Sequence, residues 1–585
     1  MLLIESILVI SAVFGALVFP SLGSRWFEKL ERRFSEFARR RLLSVAAVGL
    51  LALALRAVLL PVLPIPEPIV HDEFGYLLAA DTFAHGRVTN PTHPMWVHFE
   101  TFAVIQKPTY QCYAQPMQGL ILAAGQIIAG HPFWGVWFSA GVMCASLCWM
   151  LQGWVSPSWA LLGGFLSVLH FGTFGYWANS YWGGAAGAIG GALVLGALPR
   201  IKRSPRVRYT VLLSLGLTIL ATSRPYEGFI FSLPVAIVML VWLLSKRGPP
   251  LRVSIRNIVI PTCLVLGAAA AAMGYYNYRV TGNPLRLPYQ VEIETYAVAP
   301  YMIWQHPRPV PQFHHEVIRK LYADEVLQSY QSARSIVGPL LKFAKIWVFY
   351  LGPAFTLPLL AVIFALPPNF GWRDLGEKAQ FVLVSLAISV LGLVLEVFFH
   401  PHYAAPITGL ILLLVLLSLR RLRKWTFRER AVGLFLARSV VLICILMFVL
   451  RVFATPLHIP MSESYAPAWD QKNPSSFGRA AMMQELQHLP GKQLILVRYS
   501  ASHEPFFEWV YNSAEIDNSK VVWAHDMGVQ QNRELLSYFP DRHLLLLEPD
   551  VEPVKLHSYQ TAPDASGIFS NEPPDGGEPD GHADQ

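Results

Sequence analysis

Runs of about 20 apolar residues recur along this chain, each long enough to cross roughly 30 Å of hydrocarbon. They lie near residues 3–20, 42–62, 133–152, 158–175, 181–199, 209–222, 228–245, 257–275, 346–366, 379–398, 404–419 and 431–453, about twelve spans in all. Lipid is then the main solvent, and only segments that satisfy their own backbone hydrogen bonds can serve as spans. Composition agrees, since 54% of the 585 residues are hydrophobic and 14% charged, too apolar for a soluble protein of this length. The expected fold class is an all-α polytopic membrane protein.

A net charge of +8 would suggest nucleic acid in a soluble chain. Here the basic residues cluster in short connections between spans: "RWFEKLERRFSEFARRR", "RIKRSPRVR" from Arg200, "SKRGPPLR" from Ser245 and "RRLRKWTFRER" from Arg420. That is the positive-inside pattern, so the charge reports topology and no nucleic-acid partner is expected. All four connections face the cytoplasm only if both chain ends lie outside. Residues 1–41 then form an N-terminal anchor with a basic cytoplasmic segment and not a cleaved signal peptide. The stretch "GLILAAGQIIAG" must lie along the outer interface, because counting it as a span would put "RIKRSPRVR" outside. Cys144, Cys148, Cys263 and Cys444 fall within spans and only Cys112 in an outer loop, so the five cysteines offer no disulfide framework.

The same topology leaves two large outer loops, residues 63–132 and 276–345, and short ones around Asn179, Arg224 and His400. All the unusual polar and aromatic motifs fall there, although none was used to derive the topology: "HDEFGY", "NSYWGG", "SRPYEG", "YNYRVTGNPLRLPY" and "FFHPHYAAP". Residues 454–558 have a different rhythm. "KQLILVRYS", "KVVWAHDMG" and "RHLLLLEPD" are short apolar runs separated by helical patterns, which predicts a small extracytoplasmic α/β domain with a mainly parallel sheet. No Gly-rich phosphate loop follows a strand there. Residues 559–585, acidic and rich in Pro and Gly, are expected to be disordered.

Asp72 and Glu73 open an apolar helical pattern about ten residues beyond the second span. Acids at a first helical turn cap free N–H groups and favour the helix dipole. A carboxylate at the water–lipid boundary is also suited to act as a general base. Arg224, at the outer end of a span and before a Pro, is the leading outer cation, its alternative role being an interfacial snorkelling arginine. Lys107, Arg87, Arg279 and Arg286 are other outer-loop cations, each readable as an ordinary solvated charge. His402 and Tyr403 share a tight outer turn, and Tyr76, Tyr181, Trp182 and Tyr289 supply aromatic faces for a sugar or lipid; a membrane-interface belt is the other explanation of such rings. The small residues at 183–191 are read as helix packing.

An outer loop opening with Asp-Glu just after a span, followed by an interfacial helix, many spans and an exported C-terminal domain, resembles the GT-C superfamily of integral membrane glycosyltransferases. The nearest in style are protein O-mannosyltransferases, lipid A aminoarabinose transferases and rhizobial lipopolysaccharide transferases of the RgtA/B/C/D type. The resemblance covers residues 42–453 in architecture, and the "HPHY" turn with its following Pro406 is similar to an element near the donor in such enzymes. It implies an inverting glycosyltransferase with a polyprenyl-phosphate sugar as donor and an unknown glycan, lipid or protein acceptor outside the cytoplasmic membrane. It implies Asp72 as base with Glu73 assisting. Arg224 and His402 would hold the leaving phosphate, with Lys107 and Arg279 as further candidates. Tyr76, Tyr181, Trp182, Tyr289 and Tyr403 would contact sugar or lipid. Some members use a divalent metal, but no metal-binding spacing stands out here, and no cofactor is otherwise expected. The competing classes are a multi-pass transporter or flippase of lipid-linked sugars, against which stand the few charges in the deep spans and the lack of a repeat, and an inactive scaffold.

Overall fold

A computed structural model describes residues 1–367, 369–461 and 478–559; the tail expected to be disordered lies outside these, apart from Tyr559. Among them, nine helices are long and apolar enough to cross a membrane: Arg41–Val58, Phe133–Trp154, Gly184–Arg203, Pro225–Leu244, Leu251–Thr281, Val337–Phe364, Trp372–Leu395, Pro401–Leu422 and Val432–Val452. The chain is a multi-pass membrane protein. Of the twelve expected spans, Leu2–Val18 and Val207–Ser223 are shorter apolar helices. The expected span at 158–175 is helix Pro157–His170 followed by irregular chain. The helix beginning at Val337 also takes in residues assigned above to the second outer loop.

The basic connections meet at one end of the bundle. Glu31 pairs with Arg423 (2.7 Å) and Arg438 (2.9 Å), Gln152 donates to the Arg41 carbonyl, and Lys378 to that of Trp154. The large loops and the C-terminal domain gather at the other end.

Two pieces of irregular chain carry the site. After Arg41–Val58, the buried Arg56 guanidinium donates to the carbonyls of Leu63 (2.8 Å) and Pro64 (3.1 Å), which fixes the path from span to loop. Between Pro157–His170 and Gly184–Arg203, residues 171–182 fold back into the bundle and are buried throughout. The rings of this stretch are therefore no surface belt, because bare main chain at this depth is tolerated only inside protein. Local bonds satisfy it: Asn179 Nδ2 donates to the carbonyls of Thr173 (2.7 Å) and Gly175 (3.0 Å), and Ser180 Oγ to that of Tyr176 (2.8 Å). Within the small-residue run, a Cβ on Gly191 would lie 2.1 Å from the Pro406 carbonyl oxygen, so only glycine lets the 401–407 turn seat against this helix.

The C-terminal domain is the predicted α/β unit. Strands β4 (Lys492–Val497), β5 (Val521–His525) and β6 (Arg542–Glu548) are parallel in the order β5-β4-β6, and an edge strand not expected from the sequence, β7 (Lys555–Ser558), runs antiparallel to β6. The first outer loop contributes its own small sheet, β1 (Asn90–Pro91), β2 (Val104–Ile105) and β3 (Thr109–Cys112), with β3 in the middle. The domain docks on the helix His71–Ala84. Tyr511 stacks on Phe74 with centroids 4.0 Å apart and planes within 3°, Arg479 lies over the same ring at 4.9 Å, and Asp81 accepts the Ala514 N–H at 2.9 Å. Replacing Arg56 with Ala would leave two carbonyls without their donors, a loss of about 2–4 kcal/mol; the thermal unfolding midpoint of Arg56→Ala in nanodiscs is expected to fall by several degrees.

Candidate active site

Helix His71–Ala84 starts where it does because Glu73 closes its first turn. The Glu73 Oε2 accepts the N–H groups of Ile69 (2.9 Å) and Val70 (3.1 Å), and Oε1 accepts that of Tyr181 (2.8 Å) in the buried 171–182 segment. Burial raises its carboxyl above the usual range, opposed by these three bonds. With both oxygens engaged by main chain and 1% exposure, Glu73 is a clamp, and the geometry gives it no free lone pair toward a substrate.

The clamp sets Asp72 beside Trp182 and Tyr113. Tyr113 donates its hydroxyl to Oδ1 and Trp182 its indole N–H to Oδ2, both at 2.9 Å. Burial works against the Asp72 charge; a protonated His71 at 3.9 Å, the Trp182 and Tyr113 donors and the positive charge of Arg224 favour it and hold the carboxyl below its normal range. Because burial also lowers the His71 imidazole, the two donors and Arg224 are what keep that charge at neutral pH. Asp72 is thus an oriented carboxylate, ionised at neutral pH.

From Asp72 the contacts run round a recess. Trp182 packs on His400 (centroids 4.9 Å), Phe398 lies two residues before His400, and Tyr301 meets Phe398 at 5.6 Å. Tyr289 packs on Tyr301 at 4.3 Å and on Tyr113 at 5.6 Å, which returns to Asp72. Tyr113, Tyr289, Tyr301, Phe398, His400 and Tyr403 are all partly exposed, as expected for a cleft wall. The Arg224 guanidinium lies 4.2 Å over the Tyr403 ring and 3.5 Å from Glu227. His402 lies behind, its ring 4.8 Å from Trp182 and 5.0 Å from Tyr403. The Tyr176 hydroxyl accepts the His402 N–H and sits 2.9 Å from Nδ1. A hydroxyl placed this way donates to Nδ1, which puts the ring proton on Nε2, a buried atom with no partner. The recess therefore offers an acidic wall at Asp72 and a cation at Arg224, with the His402 ring buried behind Trp182 and Tyr403.

The other sequence candidates separate into two groups. Tyr76, one helical turn after Asp72, feels the charges of Arg224, Asp72 and Tyr403. Tyr181 is 2% exposed and donates to the Pro66 carbonyl, so it is framework and no sugar contact. Lys107 and Arg279, expected as phosphate ligands, lie elsewhere: Lys107 is 4.0 Å over the Trp96 ring, and Arg279 donates to Tyr275 in its own helix. Likewise Arg87 pairs with Glu515 and Arg286 with Glu294. Charge and loop membership identified these residues, but Lys107 sits on the β2–β3 connection, Arg87 is held by the docked domain through Glu515, and Arg279 and Arg286 are held by partners in their own or the next helix. Sequence reasoning overlooked Tyr113, which follows β3 at the end of "TYQCY"; only the pairing of that hairpin brings it to Asp72. Among the described residues no group of three or more His, Cys, Asp or Glu side chains is placed to hold a metal ion.

The chain matches no protein-family model and no curated protein. Among solved structures it is similar to the oligosaccharyltransferase of Archaeoglobus fulgidus in its apo form, at 12% identity and TM-score 0.45 over 78% of this chain and 62% of that one. The chain thus spans less than two thirds of that relative. It is also similar to ArnT from Cupriavidus metallidurans bound to undecaprenyl phosphate (12% identity, TM-score 0.43, 87% of this chain and 92% of that one). A third is the archaeal oligosaccharyltransferase AglB from Archaeoglobus fulgidus in complex with an inhibitory peptide and a dolichol-phosphate (11% identity, TM-score 0.46, 87% of this chain and 69% of that one).

Glu73→Gln would present an amide where three main-chain N–H groups now meet a carboxylate. Its loss of about 1–3 kcal/mol is expected to lower the unfolding midpoint clearly more than Asp72→Asn does, as differential scanning fluorimetry of the two purified variants would show.

Proposed function

We propose that this protein is an inverting glycosyltransferase of the GT-C type that moves a sugar from a polyprenyl-phosphate donor to an acceptor hydroxyl, at the outer face of the cytoplasmic membrane. The observation that carries this reading is Asp72: a charged, oriented carboxylate in the first turn of the helix His71–Ala84, sharing one recess with a cation. In-line displacement at an anomeric carbon needs a base on one side and charge stabilisation for the departing phosphate on the other. Asp72 is the base, and Tyr113 and Trp182 aim it. Their two hydrogen bonds keep it ionised, so it is ready to take the acceptor proton as the new bond forms.

Arg224 meets the growing charge of the leaving phosphate, and its stacking on Tyr403 fixes the guanidinium plane. The buried His402 stands behind Trp182 and Tyr403 and backs that wall without reaching the phosphate. Beside them, Tyr226, Glu227, Ile230, Ser389, Gly392 and Leu393 line a water-sized crevice between helices Pro225–Leu244 and Gly376–Leu395, so an isoprenoid tail would lie along the outer faces of these helices to reach the phosphate site. Tyr403 and Tyr289, both partly exposed, then face the sugar, while the buried Trp182 acts through its bond to Asp72, and the C-terminal domain holds the catalytic helix from above through Phe74.

Purified protein in nanodiscs should transfer or release sugar from one of a panel of labelled polyprenyl-phosphate sugars. Asp72→Asn is expected to lower turnover by about a thousandfold or more while donor binding stays within about threefold. Arg224→Met is expected to weaken binding of the donor phosphate by about 10–100-fold. Loss of turnover in neither variant would overturn the assignment of base and phosphate ligand. Failure of the intact protein to bind any lipid-linked sugar would overturn the transferase reading itself.

A further inference from the structure

The wall of the recess across from Arg224 is built of tyrosines on three separate segments. Tyr113 follows β3, Tyr289 lies in the helix Pro288–Thr295, and Tyr301 lies in the extended strap beyond it. Tyr289 and Tyr301 meet at 4.3 Å with their planes 40° apart and share a side-chain hydrogen bond, while Tyr113 stacks on Tyr289 at 5.6 Å. Such a row slides at little cost unless one end is held. What pins them is an acid that the mechanism above does not use. Glu292 is 4% exposed, and its Oε1 accepts the Tyr322 hydroxyl at 2.5 Å while Oε2 accepts that of Tyr301 at 3.4 Å. Tyr322 stacks on Tyr296, whose hydroxyl donates to the buried Glu100 at 2.9 Å, so the same strap is anchored to the first outer loop.

We infer that Glu292 is a positioning residue for the acceptor: through Tyr301 and Tyr289 it fixes Tyr113, and so the direction in which Asp72 meets the attacking hydroxyl. The assignment rests on the transferase reading. The groups that face Glu292 are Tyr301 and Tyr322, with Tyr289 and Tyr296 on its own segment and the charge of Asp72 beyond Tyr113. Burial lifts its carboxyl to about 7, against the two hydroxyl donors and with the Asp72 charge adding to the rise. Both hydroxyls bond best to the ionised acid. Activity should therefore climb as pH rises through about 7, a limb that Asp72, held below its normal range, does not produce.

The test uses the full-length protein in nanodiscs, with Glu292→Gln and Tyr301→Phe as variants. In pH-dependent infrared spectra, the difference between the parent protein and E292Q is expected to contain a protonated carboxyl band that titrates near 7. The Asp72 carboxylate band, assigned with Asp72→Asn, is expected to shift in both variants. With the lipid-linked sugar donor, both variants are expected to raise the acceptor KM by about tenfold with kcat changed less than about threefold, and E292Q should lose the limb near pH 7. An unshifted Asp72 band together with a parental pH profile and KM would overturn the inference and leave Glu292 as framework. Should E292Q fail to fold, Tyr301→Phe alone gives the Asp72 shift and the KM. Absence of turnover in the parent would count against the transferase reading, while the infrared bands still decide the role of Glu292.

Discussion

One buried carboxylate organises the functional end of this molecule. Glu73 accepts main-chain N–H groups from both sides of a junction, two from the chain entering the helix His71–Ala84 and one from the re-entrant segment at Tyr181. At this depth unpaired N–H groups are costly, so a charge shared among three of them is strongly held. Its neighbour in sequence inherits the benefit. With Glu73 locked inward, Asp72 faces the recess, where the Trp182 indole from the same re-entrant segment meets it. Two adjacent acids thus face opposite ways, Glu73 into the main chain and Asp72 toward the recess.

The rest of the loop end is built to keep that junction still. Arg56 secures the path into it from the preceding span, and the C-terminal domain grips the helix one residue past Glu73 by stacking Tyr511 on Phe74. The domain also meets the first loop at its edge, where His525 lies 2.7 Å from the Glu100 carbonyl and His93 is 2.9 Å from Asp517. Contacts so close to Asp72 make the domain part of the site's support. The second outer loop completes the support from the other side, through the tyrosine wall and Glu292.

Much of this was open to sequence reasoning, and what was not has identifiable causes. The nine long spans, the parallel strands of the C-terminal domain and the special position of Asp72 follow from apolar length, alternation and the order of spans. Arg224 and His402 stand out in the sequence because both lie at helix ends beside Pro or aromatic residues, and the fold sets both against Tyr403. Lys107 and Arg279 were misplaced because a loop's charge says nothing of where the loop folds. Tyr113 and Glu292 carry no local signal. One depends on a hairpin and the other on tyrosines up to 30 residues away in sequence.

The sequence by itself determined the membrane class, the alternation of basic and motif-bearing connections and the small α/β domain. Those properties depend on the period and length of apolar runs and on charge, which the chain states residue by residue. Only the tertiary structure decided that Glu73 is a clamp, that residues 171–182 turn inward, that Trp182 and Tyr113 aim Asp72, and that the outer lysine and arginine candidates stand apart. These depend on which main-chain groups meet inside the bundle, and a hydrogen bond between residues 108 positions apart, such as Glu73 to Tyr181, is fixed by packing and has no counterpart in local pattern.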